Sequence, residues 1–181
     1  RLHAIFDADA RWRQEEYGYG LVDGRWRQSG RLPSVAPEAW ERRIAYWTRT
    51  LAELDSIAVE TLSREDRISL AVFRTTMEAS LDNARRRTWE APFNSDTFFW
   101  AGFAPRQPWH TEQEWRDFIS RLSHLPRHFD EQIANMQRGL ARGWSVPRAS
   151  LGGRDNTIEP YTRADARSEE HTSELQSHTE I

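Results

Sequence analysis

Two histidines four residues apart, in His124-Leu125-Pro126-Arg127-His128, have the spacing best suited to chemistry in this 181-residue chain. On a helix, positions i and i+4 share a face, which is how histidine pairs reach a common zinc ion. Asp130 and Glu131 stand close enough in sequence to add a third ligand. Against that reading, no glutamate follows the first histidine and Pro126 disturbs the turn between them. The expectation is therefore a pair of solvated flanking histidines, with no metal site. His3 and His110 are isolated and read as surface or capping residues. Carboxylates recur at ordinary helical-surface spacing, and no pair stands out as a general acid and base. Gly152-Gly153 lacks the Lys-Ser/Thr of a phosphate loop, and no serine sits in a nucleophile elbow. The residues by themselves show no catalytic set.

A second stretch with functional character is aromatic. Trp89 to His110 contains Pro92-Phe93-Asn94-Ser95-Asp96-Thr97-Phe98-Phe99-Trp100, too apolar for a plain surface loop. Either it packs down over the rest of the fold, with Asn94, Ser95 and Asp96 capping a short helix, or it lines a cleft. Asn94, Asp96 and Trp100 are the candidates for facing that cleft.

The elements that position these residues are helical. From Thr111 to Arg142, Trp115, Phe118, Leu122, Leu125, Phe129, Ile133, Met136 and Leu140 recur in steps of three or four, a single helical face. Thr111 and Glu114 form a T-x-x-E capping box ahead of the run, and Gly143 stands where a C′ glycine belongs. An uninterrupted helix here would be about 48 Å long, but Pro126 should kink or split it near Leu125. The apolar face is expected to pack on other helices.

Upstream, 2–17 reads as a helix with Leu2, Ile5, Phe6, Asp9 and Trp12–Arg13 on one side. Gly18, Gly20 and Gly24 end it, and the segment to Pro33 reads as an irregular loop holding Trp26. Pro37 suits the first helical position, and Trp40, Ile44, Trp47, Leu51 and Leu54 make an aromatic seam of a helix ending near Asp55. Ser63 and Asp66 open a helix to about Arg87. It carries Ile68 and Val72 on one face and Leu70, Phe73, Met77, Leu81 and Ala84 on the other, so it should sit between neighbours. Arg85, Arg86 and Arg87 close it, where cations suit the helix dipole. Beyond Gly143, Trp144 to Arg148 looks like a turn into another helix, soon interrupted by Gly152-Gly153. These signals predict an all-α fold, an array of antiparallel helices with short connections.

Composition bounds the function. Nine Trp, eight Phe and 38% apolar residues argue for a folded, aromatic-rich domain. With no Cys, disulfides and thiolate metal sites are excluded. All basic side chains are Arg, which reads as GC-rich coding. The net charge of −3 falls to zero when residues 167–181 are set aside, and the interspersed charges leave no electrostatic footprint for nucleic acid. The Arg85–Arg87 cluster has no second basic cluster beside it. No apolar run approaches the ~20 residues of a membrane span, and no signal peptide is visible in a chain that opens at Arg1.

Residues 167–181 differ in kind. Arg167-Ser168-Glu169-Glu170-His171-Thr172-Ser173-Glu174-Leu175-Gln176-Ser177-His178 has no apolar periodicity and resembles the in-frame translation of a common short-read sequencing adaptor. The expectation is a non-native, disordered tail after Ala166, whose two histidines are not ligand candidates.

An ordered set of short stretches carries a family resemblance. It begins with Arg31-Leu32-Pro33, Pro37-Glu38-Ala39 and Leu51-Ala52-Glu53-Leu54-Asp55. Leu62-Ser63-Arg64-Glu65-Asp66-Arg67 and Pro92-Phe93-Asn94-Ser95 follow. Last come Gly139-Leu140-Ala141-Arg142-Gly143 and Val146-Pro147-Arg148. In this order, over roughly residues 1–162, they resemble the N-terminal part of the bacterial domain-of-unknown-function 885 family. The resemblance implies a larger, mostly helical, zincin-like fold and a zinc metallopeptidase acting on peptides. Zinc would be held there by an H-E-x-x-H helix and a downstream Glu. This sequence contains no H-E-x-x-H, so no catalytic residue carries over. Residues 1–166 are then expected to be the truncated, non-catalytic scaffold and one wall of the substrate cleft, binding no cofactor themselves. Their partner would be the missing C-terminal half of the same protein. Family members are often exported or envelope-associated. The alternative is a freestanding helical binding module with an aromatic partner surface.

Overall fold

The computed structural model describes residues 1–22, 25–92, 111–153 and 156. Described residues up to Ser145 belong to one compact unit, and those from Val146 onward to a second. The described residues form a mostly helical, all-α chain with five α-helices and one two-stranded sheet.

The first unit opens with α1 (Leu2–Tyr17), which ends where Gly18 enters the left-handed region at φ 70° and donates its N–H to the Gln14 carbonyl. The segment that follows is not an irregular loop. Tyr19–Val22 (β1) and Arg25–Gln28 (β2) pair antiparallel, Tyr19 opposite Gln28 and Val22 opposite Arg25. The two residues between the strands are Asp23-Gly24, a pair strongly favoured in two-residue hairpin connections. The glycines signal hairpin geometry here as well as the end of the helix.

Helix α2 (Pro37–Asp55) starts on its proline as expected, and α3 (Arg64–Arg85) starts at Ser63, whose hydroxyl accepts from the Asp66 N–H. The two run antiparallel: Leu54 clusters with Leu70 at one end, and Trp47 with Leu81 and Ala84 toward the other. Two apolar clusters result. Tyr46, Trp47, Met77, Leu81 and Ala84 form one; Leu2, Ile5, Leu54 and Leu70 form the other. Trp12 stacks flat on Tyr46 at 3.7 Å between ring centroids, tying α1 to α2. The Tyr46 hydroxyl donates to buried Asp9, which also accepts from Arg13 Nε at 2.6 Å. Burial and the neighbouring Asp9 carboxylate push the Tyr46 phenol up to about 12. Ile68 and Val72, expected against a second neighbour, are exposed, so α3 buries one face only.

Pro126 splits the long helical run. Helix α4 (Glu112–Ser123) begins at a complete Thr111–Glu114 capping box, and α5 (Leu125–Ala141) begins after His124 with the proline in its first turn, where no intrahelical N–H is needed. Gly143 follows at φ 74°.

The expectation that the apolar stripe of this run is buried holds only in part: Phe118, Leu125, Phe129 and Met136 are half-buried and the other four are exposed. The buried positions of α5 are His128, Gln132, Asn135 and Gly139, while Trp115, Ile119, Leu122, Ile133 and Leu140 are exposed. The cause lies in what α5 packs against: the extended segment 31–36 and the 3-10 turn Thr88–Glu90. Extended backbone has N–H and C=O groups that need partners, and a polar helical face supplies them where an apolar one cannot.

In the second unit, Arg148–Ser150 is a single 3-10 turn. The expected helix after Gly143 is limited to this turn among the described residues.

Candidate functional site

One concave feature of the first unit lies beside the hairpin, a cleft of about 190 Å³. Gly18 makes its first corner. A Cβ there would lie 2.7 Å from Ser29 Oγ and 3.0 Å from the Arg31 carbonyl, so only glycine fits both the φ and the space. The Ser29 N–H donates to the Gly18 carbonyl at 2.6 Å and closes the hairpin base, setting Tyr19 and Gln28 at the cleft. The chain then turns through Arg31, Leu32 and Pro33 along the floor. The opposite wall comes from the α4–α5 junction, with Phe118, Arg121, Leu122 and Leu125. Arg121 anchors the wall by donating from Nη1 to the Ser29 carbonyl at 2.8 Å, and its guanidinium carbon sits 5.7 Å from the centre of the Phe118 ring.

The electrostatics of the cleft are one-sided. Arg31 and Arg121 line it, and among the described residues no Asp or Glu does. Burial holds the Arg121 guanidinium below its ordinary value, partly offset by Asp117. Burial also raises the Tyr17 phenol, with Arg43 opposing.

Behind the floor lies a polar hub. Glu131 accepts from the Val35 N–H at 2.7 Å, the Ser34 hydroxyl at 3.0 Å and Arg127 at 2.7 Å. Asn135, fully buried, donates to the Val35 carbonyl. Arg127 reaches the Leu32 carbonyl. Arg43, 1% exposed, donates to Glu16 at 2.8 Å and to the Ser34 carbonyl at 2.7 Å. Its guanidinium lies over Trp40 at 4.6 Å and Tyr17 at 5.1 Å. A related contact holds the far end of α5, where buried Glu90 accepts from Arg142 at 2.8 Å and pairs with Arg87 at 3.5 Å.

This hub makes stability depend on pH. Burial lowers the His128 pKa below 6.5, outweighing the Pro33 carbonyl and Glu131, which favour the charged ring. The unfolded imidazole therefore takes up a proton at higher pH than the folded one. Its contribution is complete above about 6.5 and is lost as pH falls through the lower folded value. Burial alone would raise Glu131, but the bonds from Val35, Arg127 and Ser34 together hold it below 4.5, so its contribution is lost at more acidic pH still. We expect a thermal midpoint that is level above neutrality and falls in two limbs on acidification. His128→Gln should remove the first limb and leave the second; an unchanged profile would show that His128 does not carry it.

Among the sequence candidates, Asn94, Asp96 and Trp100 lie outside the described residues, as does the 167–181 tail. The histidine pair is separated in role. His124 is half-buried with Nδ1 2.7 Å from the Ser120 carbonyl, whereas His128 is buried, contrary to the expectation that both are solvated. Glu131 is committed to Ser34, Val35 and Arg127. Among the described residues no group of three His, Asp or Glu side chains is placed to hold a metal ion. His3 pairs with Asp66 at the surface, as a surface histidine should. Of the arginine triplet, Arg86 and Arg87 pair with Asp82 and Glu90 and Arg85 reaches Thr48. No described helix is long and apolar enough to cross a membrane. Arg43, Glu90 and Asn135 escaped the sequence reading because nothing in periodicity marks a buried polar residue. The one local signal was that Arg43 and Asn135 fall three and two residues from seam positions Trp40 and Ile133.

The fold and site define a helical protein built around a polar hub, with an arginine-lined cleft and a large exposed apolar seam. A family model described as "Bacterial protein of unknown function (DUF885)" matches residues 15–178, and the chain belongs to that family. The match takes in residues 167–178 of the tail. No curated protein and no solved structure matches the chain.

Proposed function

We propose that this chain is the non-catalytic N-terminal helical scaffold of a zincin-like metallopeptidase, forming one wall of its substrate cleft. Zinc and the peptide-cleaving residues would be carried by a C-terminal half that docks onto it. The observation that supports this reading is the exposed seam of α4 and α5. Trp115, Ile119, Leu122, Ile133 and Leu140 are 40–67% exposed and recur at helical spacing. Several large apolar side chains left exposed on neighbouring helical turns are what an interaction site requires. This is also the geometry in which a second amphipathic helix packs. Asn94, Asp96 and Trp100 remain the proposed cleft-facing residues.

The test begins with the intact open reading frame. It should continue past Ala166 into an H-E-x-x-H, and its product should bind stoichiometric zinc and cleave peptides. In that product, Ile133→Glu and Leu140→Glu should lower the unfolding midpoint, while the same changes in the 181-residue chain leave its stability within about 0.5 kcal/mol, as exposed substitutions do. A natural stop codon near Ala166, with a stable monomeric product, would overturn the proposal. It would favour the second reading, a freestanding helical binding module that uses the same seam for a partner. The intact gene also decides the proposed adaptor origin of residues 167–181.

A further inference from the structure

We propose that the cleft beside the hairpin binds a small organic carboxylate with an apolar body, the carboxylate held by Arg121 and Arg31 and the body by Phe118, Leu125 and Pro33. Other arginines of the fold set the comparison. Arg43, Arg127 and Arg142 each reach into the fold and each meets a carboxylate: Glu16, Glu131 and Glu90. Arg121 differs: Asp117 is near enough to favour its charge, but no carboxylate accepts a hydrogen bond from it among the described residues. It is partly buried, yet its one hydrogen-bond partner among the described residues is the neutral Ser29 carbonyl, which uses Nη1 alone. Arg31 lines the same cleft, and its guanidinium has no hydrogen-bond or ion-pair partner among the described residues. A planar guanidinium offers five donors in a fork that matches a carboxylate. Two such groups in a cleft lined by no acidic side chain among the described residues form a site for an anion.

The rest of the lining says what else the anion carries. Leu32, Pro33, Phe118, Leu122 and Leu125 give an apolar floor and wall, which inorganic phosphate would leave unused. An apolar cavity of about 150 Å³ accepts benzene. At about 190 Å³ this cleft accommodates one ring or branched chain with its carboxylate. A free aromatic acid and the C-terminal residue of a peptide share that chemistry. The inference does not depend on the metallopeptidase reading, because it concerns residues present in this chain and needs no zinc.

The experiment titrates the full chain with phenylacetate, phenylacetamide and N-acetyl-glycyl-phenylalanine, read by calorimetry and ligand-observed NMR. Saturable one-to-one binding of phenylacetate is expected, with the neutral amide weaker by about 10- to 100-fold, the range for losing a hydrogen bond to a charged group. Tighter binding of the peptide than of phenylacetate would identify the source as a peptide terminus, and the reverse a free acid. Arg121→Gln should cost a similar factor. Arg31→Gln, which removes a side chain with no structural partner, should weaken binding with circular dichroism and thermal midpoint unchanged. Equal affinity for acid and amide, unaltered binding by folded Arg31→Gln, or no saturation at millimolar ligand would overturn the proposal.

Discussion

Arg43→Ala should destabilise the chain by about 3–5 kcal/mol, the cost of removing one partner from a buried ion pair. Arg43 is 1% exposed, and its partner Glu16 keeps only 15% side-chain exposure. Truncation leaves the Glu16 carboxylate without its cation, strips a donor from the Ser34 carbonyl and removes the guanidinium from between Trp40 and Tyr17. Domains of this size are stable by roughly 5–15 kcal/mol, so the loss is a large fraction of the whole. Urea unfolding followed by tryptophan fluorescence measures it. The double variant Arg43→Met with Glu16→Leu should recover much of the stability, because a buried pair replaced by apolar residues of similar size leaves no orphaned charge. A single variant within 1 kcal/mol of the parent would mean that Arg43 does not hold α2 to α1 and the 31–36 segment.

Gly139→Ala should be destabilising even though alanine is the better helix former. In an exposed helix the change would gain about 1 kcal/mol. Here a Cβ would stand 2.8 Å from the Glu90 carbonyl oxygen, 2.9 Å from that of Trp144 and 3.0 Å from Glu90 Cβ. Two of the three are backbone atoms, so nothing flexible can give way. Relief requires α5 to move off the Thr88–Glu90 turn, which strains the Arg142–Glu90 ion pair and the stacked Trp40–Trp89 rings, 5.8 Å apart and 6° from parallel. Overpacking of this kind costs about 1–3 kcal/mol, enough to reverse the propensity gain. The expected signature is a lower thermal midpoint with a reduced near-ultraviolet tryptophan signal. A rise in the midpoint would show that the turn has room for the methyl group.

The second prediction rests on a division within α5. Ile133 and Leu140 are exposed, Leu125, Phe129 and Met136 are half-buried, and the polar residues His128, Gln132 and Asn135 are the buried ones. A solitary domain gains little from that arrangement, since apolar surface in water forfeits the burial that would stabilise it. The exposed part of the seam is the observation that supports the proposed docking of a second surface.

The local signals were legible in the sequence alone. The bounds of α1 and α2, the Ser63 and Thr111 caps, the break at Pro126 and the left-handed Gly143 each depend on a few neighbouring residues, whose φ, hydrogen-bonding capacity and spacing act without reference to the rest of the fold. The Tyr19–Gln28 hairpin was written in Asp23-Gly24 but masked by two more glycines nearby. What only the tertiary structure decided is which face of each helix is covered. Periodicity places Trp115 to Leu140 on one side of a helix but carries no information about what stands opposite, and the neighbours of α5 turned out to be extended backbone in need of hydrogen bonds. The cleft was invisible for the same reason: Tyr17, Arg31 and Arg121 are distant in sequence, and only the Gly18 corner and the break at His124 bring them together.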